Sequence, residues 1–133
     1  VDRHGQPGGH WNDAYDFVTL HQPSAFYGVA SLPLGSGRVD TYGPNAGLME
    51  LATGAEVLAH FQQAMQQRLL PSGRVTYRPM SEVQADGSGH RVVSLLSGEP
   101  VAVRVRRRVV DATFTASRVP STHVPGFDIA PGT

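Results

Sequence analysis

Thr53-Gly54-Ala55-Glu56 is a capping-box sequence: a Thr hydroxyl, and a Glu carboxylate three residues on, each take up an amide that the start of a helix leaves without an acceptor. Leu58, Phe61, Met65 and Leu69 then recur at helical spacing, while Gln62, Gln63, Gln66, Gln67 and Arg68 fall largely on the other sides. The spacing predicts an amphipathic helix from Thr53 to Leu70, ended by Pro71-Ser72-Gly73. No other stretch has this pattern, so the helix must bury its apolar stripe against strands and loops.

Strand signals lie mostly downstream. Val75 and Tyr77 alternate with polar neighbours, which predicts a strand over Arg74–Met80 entered directly from the helix, half of a βαβ unit. Ala85-Asp86-Gly87-Ser88-Gly89 is a turn sequence. Beyond it, Arg91–Leu96 and Val101–Val110 are β-rich runs separated by Ser97-Gly98-Glu99-Pro100, which predicts an antiparallel hairpin. Val109, Val110, Ala112 and Phe114 extend the last run as a buried strand, and Pro120, Pro125 and Pro131 make the tail from Val119 irregular. Upstream, the Gly-rich stretch from His4 to Trp11 is a loop. Phe26, Tyr27 and Val29 suggest a short strand over Ala25–Ser31, before Leu32–Gly47 returns to Pro, Gly and Asn. There are no internal repeats.

Composition narrows the chemistry. With 133 residues there is room for one domain with a real core. Cys is absent, which removes disulfides, thiolate catalysis and sulfur-built zinc sites, so any redox chemistry has to come from a bound cofactor. The formal net charge of +0 gives no long-range attraction for nucleic acid or an anionic membrane. No apolar run approaches the ~20 residues of a membrane-spanning helix and no secretory layout opens the chain, so a cytoplasmic location is expected. Arg104, Arg106 and Arg108 share one face of the expected strand opposite Val103 and Val105, the pattern of a half-solvated strand and not of a nucleic-acid site. No Gly-x-Ser-x-Gly elbow or Walker loop supports a hydrolase or an NTPase.

Val1-Asp2-Arg3, Gly8-Gly9-His10-Trp11, His21-Gln22 and Phe26-Tyr27 together resemble the segment that follows the first βαβ unit of flavin-containing monooxygenases and related FAD/NAD(P)-dependent oxidoreductases. Glu50 through the capped helix to Val75-Thr76-Tyr77-Arg78-Pro79-Met80, and Val109-Val110-Asp111-Ala112-Thr113, fit the same layout, so the resemblance covers nearly the whole chain. It implies an α/β fold: a partial FAD-binding Rossmann-like domain of ββα type with an inserted antiparallel hairpin or meander, its first strand and helix missing, occupying residues 1–133 as one unit. It further implies FAD as cofactor, NAD(P)H as reductant and a small-molecule substrate. Asp2, Gly8, Gly9, Trp11 and Val83 would contribute to the cofactor site, and His21, Gln22 and Tyr27 would lie near the flavin or the substrate. No catalytic side chain is assigned, since the cofactor carries the electronics.

The residue types have their own physical grounds. A carboxylate at a strand's carboxyl end accepts both ribose hydroxyls of a dinucleotide, the role in view for Asp2. Paired glycines let main-chain amides approach a pyrophosphate or sugar, and an adjoining Trp offers a flat apolar wall. The bland alternatives are an exposed charge and an ordinary tight turn. The Gly-x-Gly-x-x-Gly fingerprint belongs ahead of Asp2, and Gly35-Ser36-Gly37-Arg38-Val39-Asp40 does not replace it, lacking the third Gly and a following helix. A start at Val1 without Met therefore suggests a segment of a longer reading frame, inactive and prone to self-association by itself. His4, His10 and His21 with Asp13 and Asp16 are explained by loop polarity better than by a metal site, and His60, His90 and His123 read as surface groups. The rival is a non-catalytic α+β binding or interaction module with the helix packed on the hairpin.

Overall fold

The capping box at Thr53 forms as expected and opens α1, Gly54–Ala64. Thr53 Oγ1 accepts the Glu56 amide at 3.3 Å and Glu56 Oε2 accepts the Thr53 amide at 2.8 Å, so two orphaned donors are satisfied at once. The helix then loosens into one wider turn, Met65–Leu69, and closes through a 3-10 turn, Leu70–Ser72, with Gly73 left-handed at φ 65. In this computed structural model residues 1–29, 31–87 and 89–113 are described. The expectations for Phe114, the tail from Val119 and His123 lie outside them.

The face of α1 turned inward carries Gly54, Val57, His60 and Ala64. That stripe sits beside the expected one, whose Leu58, Phe61 and Met65 are only half-buried. Small residues explain the shift. A Cβ at Gly54 would fall 2.7 Å from Val18 Cγ1, so the helix start packs close to the preceding segment. Val57 joins Leu20, Leu34 and Ala52 in a buried cluster, with Trp11, Tyr27 and Phe61 packed against it.

Extended pieces too short to count as strands wrap this cluster. Leu20 donates to Ala52 O at 2.9 Å, Ser24 to Glu50 O at 3.1 Å, Gly54 to Val18 O at 2.9 Å and Glu50 to Arg38 O at 3.1 Å. Ser24 is buried within them and stays satisfied: its hydroxyl donates to Glu50 O and accepts the Ala52 amide at 2.7 Å.

The regular sheet is separate. β1 (Ser81–Asp86), β2 (Gly89–Ser94) and β3 (Pro100–Val103) pair antiparallel in the order β1-β2-β3. The register sets Val83 opposite Val92 and Val92 opposite Val101. Period-two alternation then gathers Val83, Val92, Val101 and Val103 on one face and puts Glu82, Gln84, Asp86, Arg91 and Val93 on the other, where Arg91 pairs with Asp86 at 2.8 Å. The architecture of the described residues is thus mixed α/β, one α-helix with a three-stranded antiparallel sheet.

Three expected strands differ. Residues 74–80 form no strand; Pro79 has no amide to give, and the segment bonds to the amino-terminal residues instead, Asp2 donating to Arg78 O at 2.9 Å and Met80 to His4 O at 3.0 Å. The step out of α1 therefore leads to no parallel strand among the described residues. Over 25–31, Pro23 launches a 3-10 turn, Ser24–Tyr27, and Gly28 is followed by a single bridge from Val29 to Leu32. The run expected to reach Val110 stops at Val103, and Val109 and Val110 are exposed. No partner strand lies beyond β3 among the described residues to extend it against the charge of Arg104 and Arg106–Arg108. No helix of the described residues is long and apolar enough to cross a membrane.

Candidate functional site

Asp2 is held by main chain and side chains together. Its amide donates to Arg78 O, and its carbonyl accepts from Ser81, the first residue of β1, at 2.9 Å. It ends no strand, contrary to the geometry expected of a ribose-binding carboxylate. Oδ1 accepts the His4 amide at 2.9 Å and meets His4 Nδ1 at 3.1 Å, and Oδ2 has one long contact, the Tyr77 hydroxyl at 3.4 Å. A carboxylate oxygen accepts two hydrogen bonds, so Oδ2 retains acceptor capacity. Burial, followed by the charge of Asp2 and the hydrogen bond to it, pushes the Tyr77 phenol up to about 12.

His4 carries this cluster across to the glycine loop. Its Nε2 lies 2.8 Å from Asp13 Oδ2, so the imidazole bridges Asp2 and Asp13. Hydrogen bonds to Asp13 and then Asp2 raise its pKa above the ordinary histidine value, against a smaller effect of burial. As imidazolium, both ring nitrogens donate. Asp13 closes the 3-10 turn Gly9–Asp13.

Gly8 and Gly9 enter that turn at φ 141 and 52, where an L-residue is strained. A Cβ on Gly8 would fall on Leu58 Cδ2 of α1, whereas Gly9 faces open space. Asn12 braces the loop by donating to Gly9 O at 3.0 Å. Trp11 is half-buried on the core cluster, so its indole serves first as packing. The structure therefore links Asp2 through His4 to Asp13, the last residue of the turn that Gly8 and Gly9 enter and that carries Trp11, and this linked unit forms a ledge. Val83 sits on β1, half exposed, two residues past the Ser81 that bonds Asp2. His21 and Gln22 are exposed, and the hydroxyl of the half-buried Tyr27 donates to Gln22 Oε1 at 3.4 Å. No group of three or more potential metal ligands is gathered among the described residues.

A second constellation was not anticipated. The segment Gly35-Ser36-Gly37, set aside as a phosphate loop, wraps a carboxylate of the chain itself. Glu50 Oε1 accepts the Ser36 amide and, at 2.7 Å, the Gly37 amide, and Oε2 pairs with Arg38 Nε at 3.1 Å. Gly35 is at φ 79, and a Cβ there would press on Ser24 Cβ as well as on the carboxylate. Burial works to raise the pKa of Glu50, and the amides of Gly37 and Ser36, the Ser36 hydroxyl and Arg38 outweigh it, so the carboxyl is held below its usual range. This is an anion nest, occupied by a side chain.

Beside the nest lies a cavity of about 330 Å³ lined by Arg38, Asp40, Glu50, Glu56, His60 and Gln63 around Ser24, Leu34 and Ala52. His60 was expected at the surface and is instead 5% exposed, with Nε2 lacking any hydrogen-bond partner. Burial pushes its pKa down, against the charged form of the ring. The spacing Val57, His60, Ala64 carried the signal for this, since it is the i, i+3, i+7 series of one helix face. Nothing local foretold Glu50, which meets its loop across 13 residues.

The chain is 50% identical over 132 residues to uncharacterized proteins of Mycobacterium bovis and Mycobacterium tuberculosis, covering 99% of this chain and 24% of each relative. It thus spans about a quarter of the length of the curated relatives it matches. No protein-family model matches, and no solved structure matches.

Proposed function

We propose that this chain supplies part of the FAD site of a flavin-dependent oxidoreductase of the monooxygenase type, within the partial Rossmann-like architecture that its sequence resembles. The observation that carries the proposal is the ledge itself: His4 ties Asp2 to the Gly8–Asp13 turn, so the acidic residue and the double-glycine loop that the resemblance pairs are one hydrogen-bonded unit. Asp2 Oδ2 has acceptor capacity for a ribose hydroxyl, and Gly9 leaves the main chain open to a phosphate or sugar. Trp11 keeps the loop seated on the core from below. Bound FAD would accept a hydride from NAD(P)H and pass electrons to oxygen or a substrate, while this chain's residues bind and orient it. His21, Gln22 and Tyr27 belong to the same side of the proposal, toward flavin or substrate, and Val83 toward the adenine.

Reconstitution tests this. FAD is added to this chain and to the Mycobacterium tuberculosis relative, free cofactor is removed, and the visible spectrum is recorded with and without NAD(P)H. Retention of a flavin band by the relative, its bleaching by NAD(P)H, and loss of the band when the residues matching Asp2 and Gly8 are changed to Asn and Val are the expected results. A folded relative that keeps no flavin overturns the assignment in favour of a non-catalytic binding module.

A further inference from the structure

The two edges of the sheet are finished differently. At β1, Ser81 donates to Asp2 O at 2.9 Å and Glu82 pairs with Arg3 at 4.0 Å, so the amino-terminal segment guards that edge. At β3 no backbone bond among the described residues reaches Val101–Val103 from beyond the sheet, which leaves a row of amides and carbonyls to water. Val101, Val103 and Val105 are exposed along it. The arginines that follow, Arg104 and Arg106–Arg108, belong to no ion pair among the described residues. Glu99, just ahead of β3, keeps its carbonyl on Ser94 of β2 at 3.2 Å and so continues the line of the strand.

We propose that β3 is a dimerisation edge: two copies of this chain pair antiparallel through β3 about a two-fold axis at Val103, joining their three-stranded sheets into one continuous sheet. A two-fold contact has to be complementary to itself, and this sequence is so in one register. Centred on Val103, the pairing sets Val103 against Val103 of the second copy, Val101 against Val105, Ala102 against Arg104 and Glu99 against Arg107. Valine then meets valine, acid meets base, and no arginine opposes another. Centred one residue later, Arg104 would face Arg104; centred one residue earlier, Glu99 would face Val105. Pro100 stands at the first position of β3, where the missing amide disturbs a ladder least. Pairing straightens the bend that the chain now makes at Arg106 and Arg107 and lengthens β3 past Val103. An edge this short buries less than a standard interface, so the dimer is weak and forms at high concentration. The proposal does not rest on the flavin reading, and its test contains no flavin.

Because the chain has no Cys, a single introduced one reports the register. Facing residues of an antiparallel pair have Cα atoms about 4.5–5.5 Å apart, a separation that a disulfide spans. Val103→Cys, held concentrated with a mild oxidant, is expected to form a covalent dimer, and Val83→Cys, on the same face but in β1, is expected to do so roughly tenfold more slowly. Both positions are exposed, so both variants keep the core intact. Sedimentation of the unaltered chain should show a dimer fraction that rises with concentration. On the Val103→Cys background, Glu99→Arg should slow cross-linking roughly three- to tenfold, since two symmetry-related attractions become repulsions, and adding Arg107→Glu should restore the rate. A chain that sediments as a monomer throughout, equal cross-linking at Val83 and Val103, or a rate that ignores Glu99→Arg or is not restored by Arg107→Glu would each overturn the proposal.

Discussion

The segments around α1 and the sheet β1-β2-β3 solve opposite halves of the folding problem. Around α1 almost nothing is regular, yet Leu20, Leu34, Ala52 and Val57 are buried there and extended pieces cross-bond over them. The sheet is regular from Ser81 to Val103, yet Val83 and Val101 remain 48% and 49% exposed. Backbone pairing exchanges hydrogen bonds to water for hydrogen bonds to chain at small net gain, whereas removing apolar surface from water is the dominant favourable effect. Regularity and stability are located in different parts of this molecule.

Paired substitutions break or sharpen that contrast, beginning with the largest effect. Leu20→Ala should cost about 2–5 kcal/mol, the range for emptying a buried leucine site, while Val101→Ala should stay within roughly 0.5 kcal/mol. Urea unfolding midpoints measure both, and equal losses would mean that the valine face is covered in solution. Gly8→Ala places a strained φ and a collision with Leu58 at the entry of the Gly9–Asp13 turn, and a loss of about 1–3 kcal/mol is expected in the same assay. Thr53→Ala removes the capping box, and about 1 kcal/mol should follow, read as earlier loss of helical circular dichroism on heating.

The smallest effect is electrostatic. His4 has a folded pKa above its ordinary value because Asp13 and Asp2 accept from its ring. Its contribution to stability is therefore complete below the unfolded pKa and is lost as pH rises through the folded one. A proton NMR titration should place His4 above an unperturbed histidine, and Asp13→Asn should lower it and flatten the fall in stability. A His4 pKa unmoved by Asp13→Asn would mean that the bridge between Asp2 and the glycine loop does not form.

Legibility followed the range of the interactions. The capping box and the hairpin of β2 and β3 were readable because each is decided within a few residues. The strand expected over 74–80 failed because its partner is the amino-terminal segment, through Arg78 to Asp2 and Met80 to His4, a pairing that no local pattern encodes. Asp2, Gly8, Gly9 and Trp11 were recognisable as residue types, but that Trp11 would pack on the core and His4 would join Asp2 to Asp13 was not.

By itself the sequence determined where α1 begins and that a hairpin would follow the turn after residue 85, since capping and turn chemistry act along the chain. Only the tertiary structure decided that Glu50 would fill the Gly35–Gly37 nest, that His60 would be desolvated without a partner, and that Asp2 would meet Tyr77 across 75 residues. Those contacts depend on chain closure and on which surfaces leave water together, and neither is a property of any short stretch of residues.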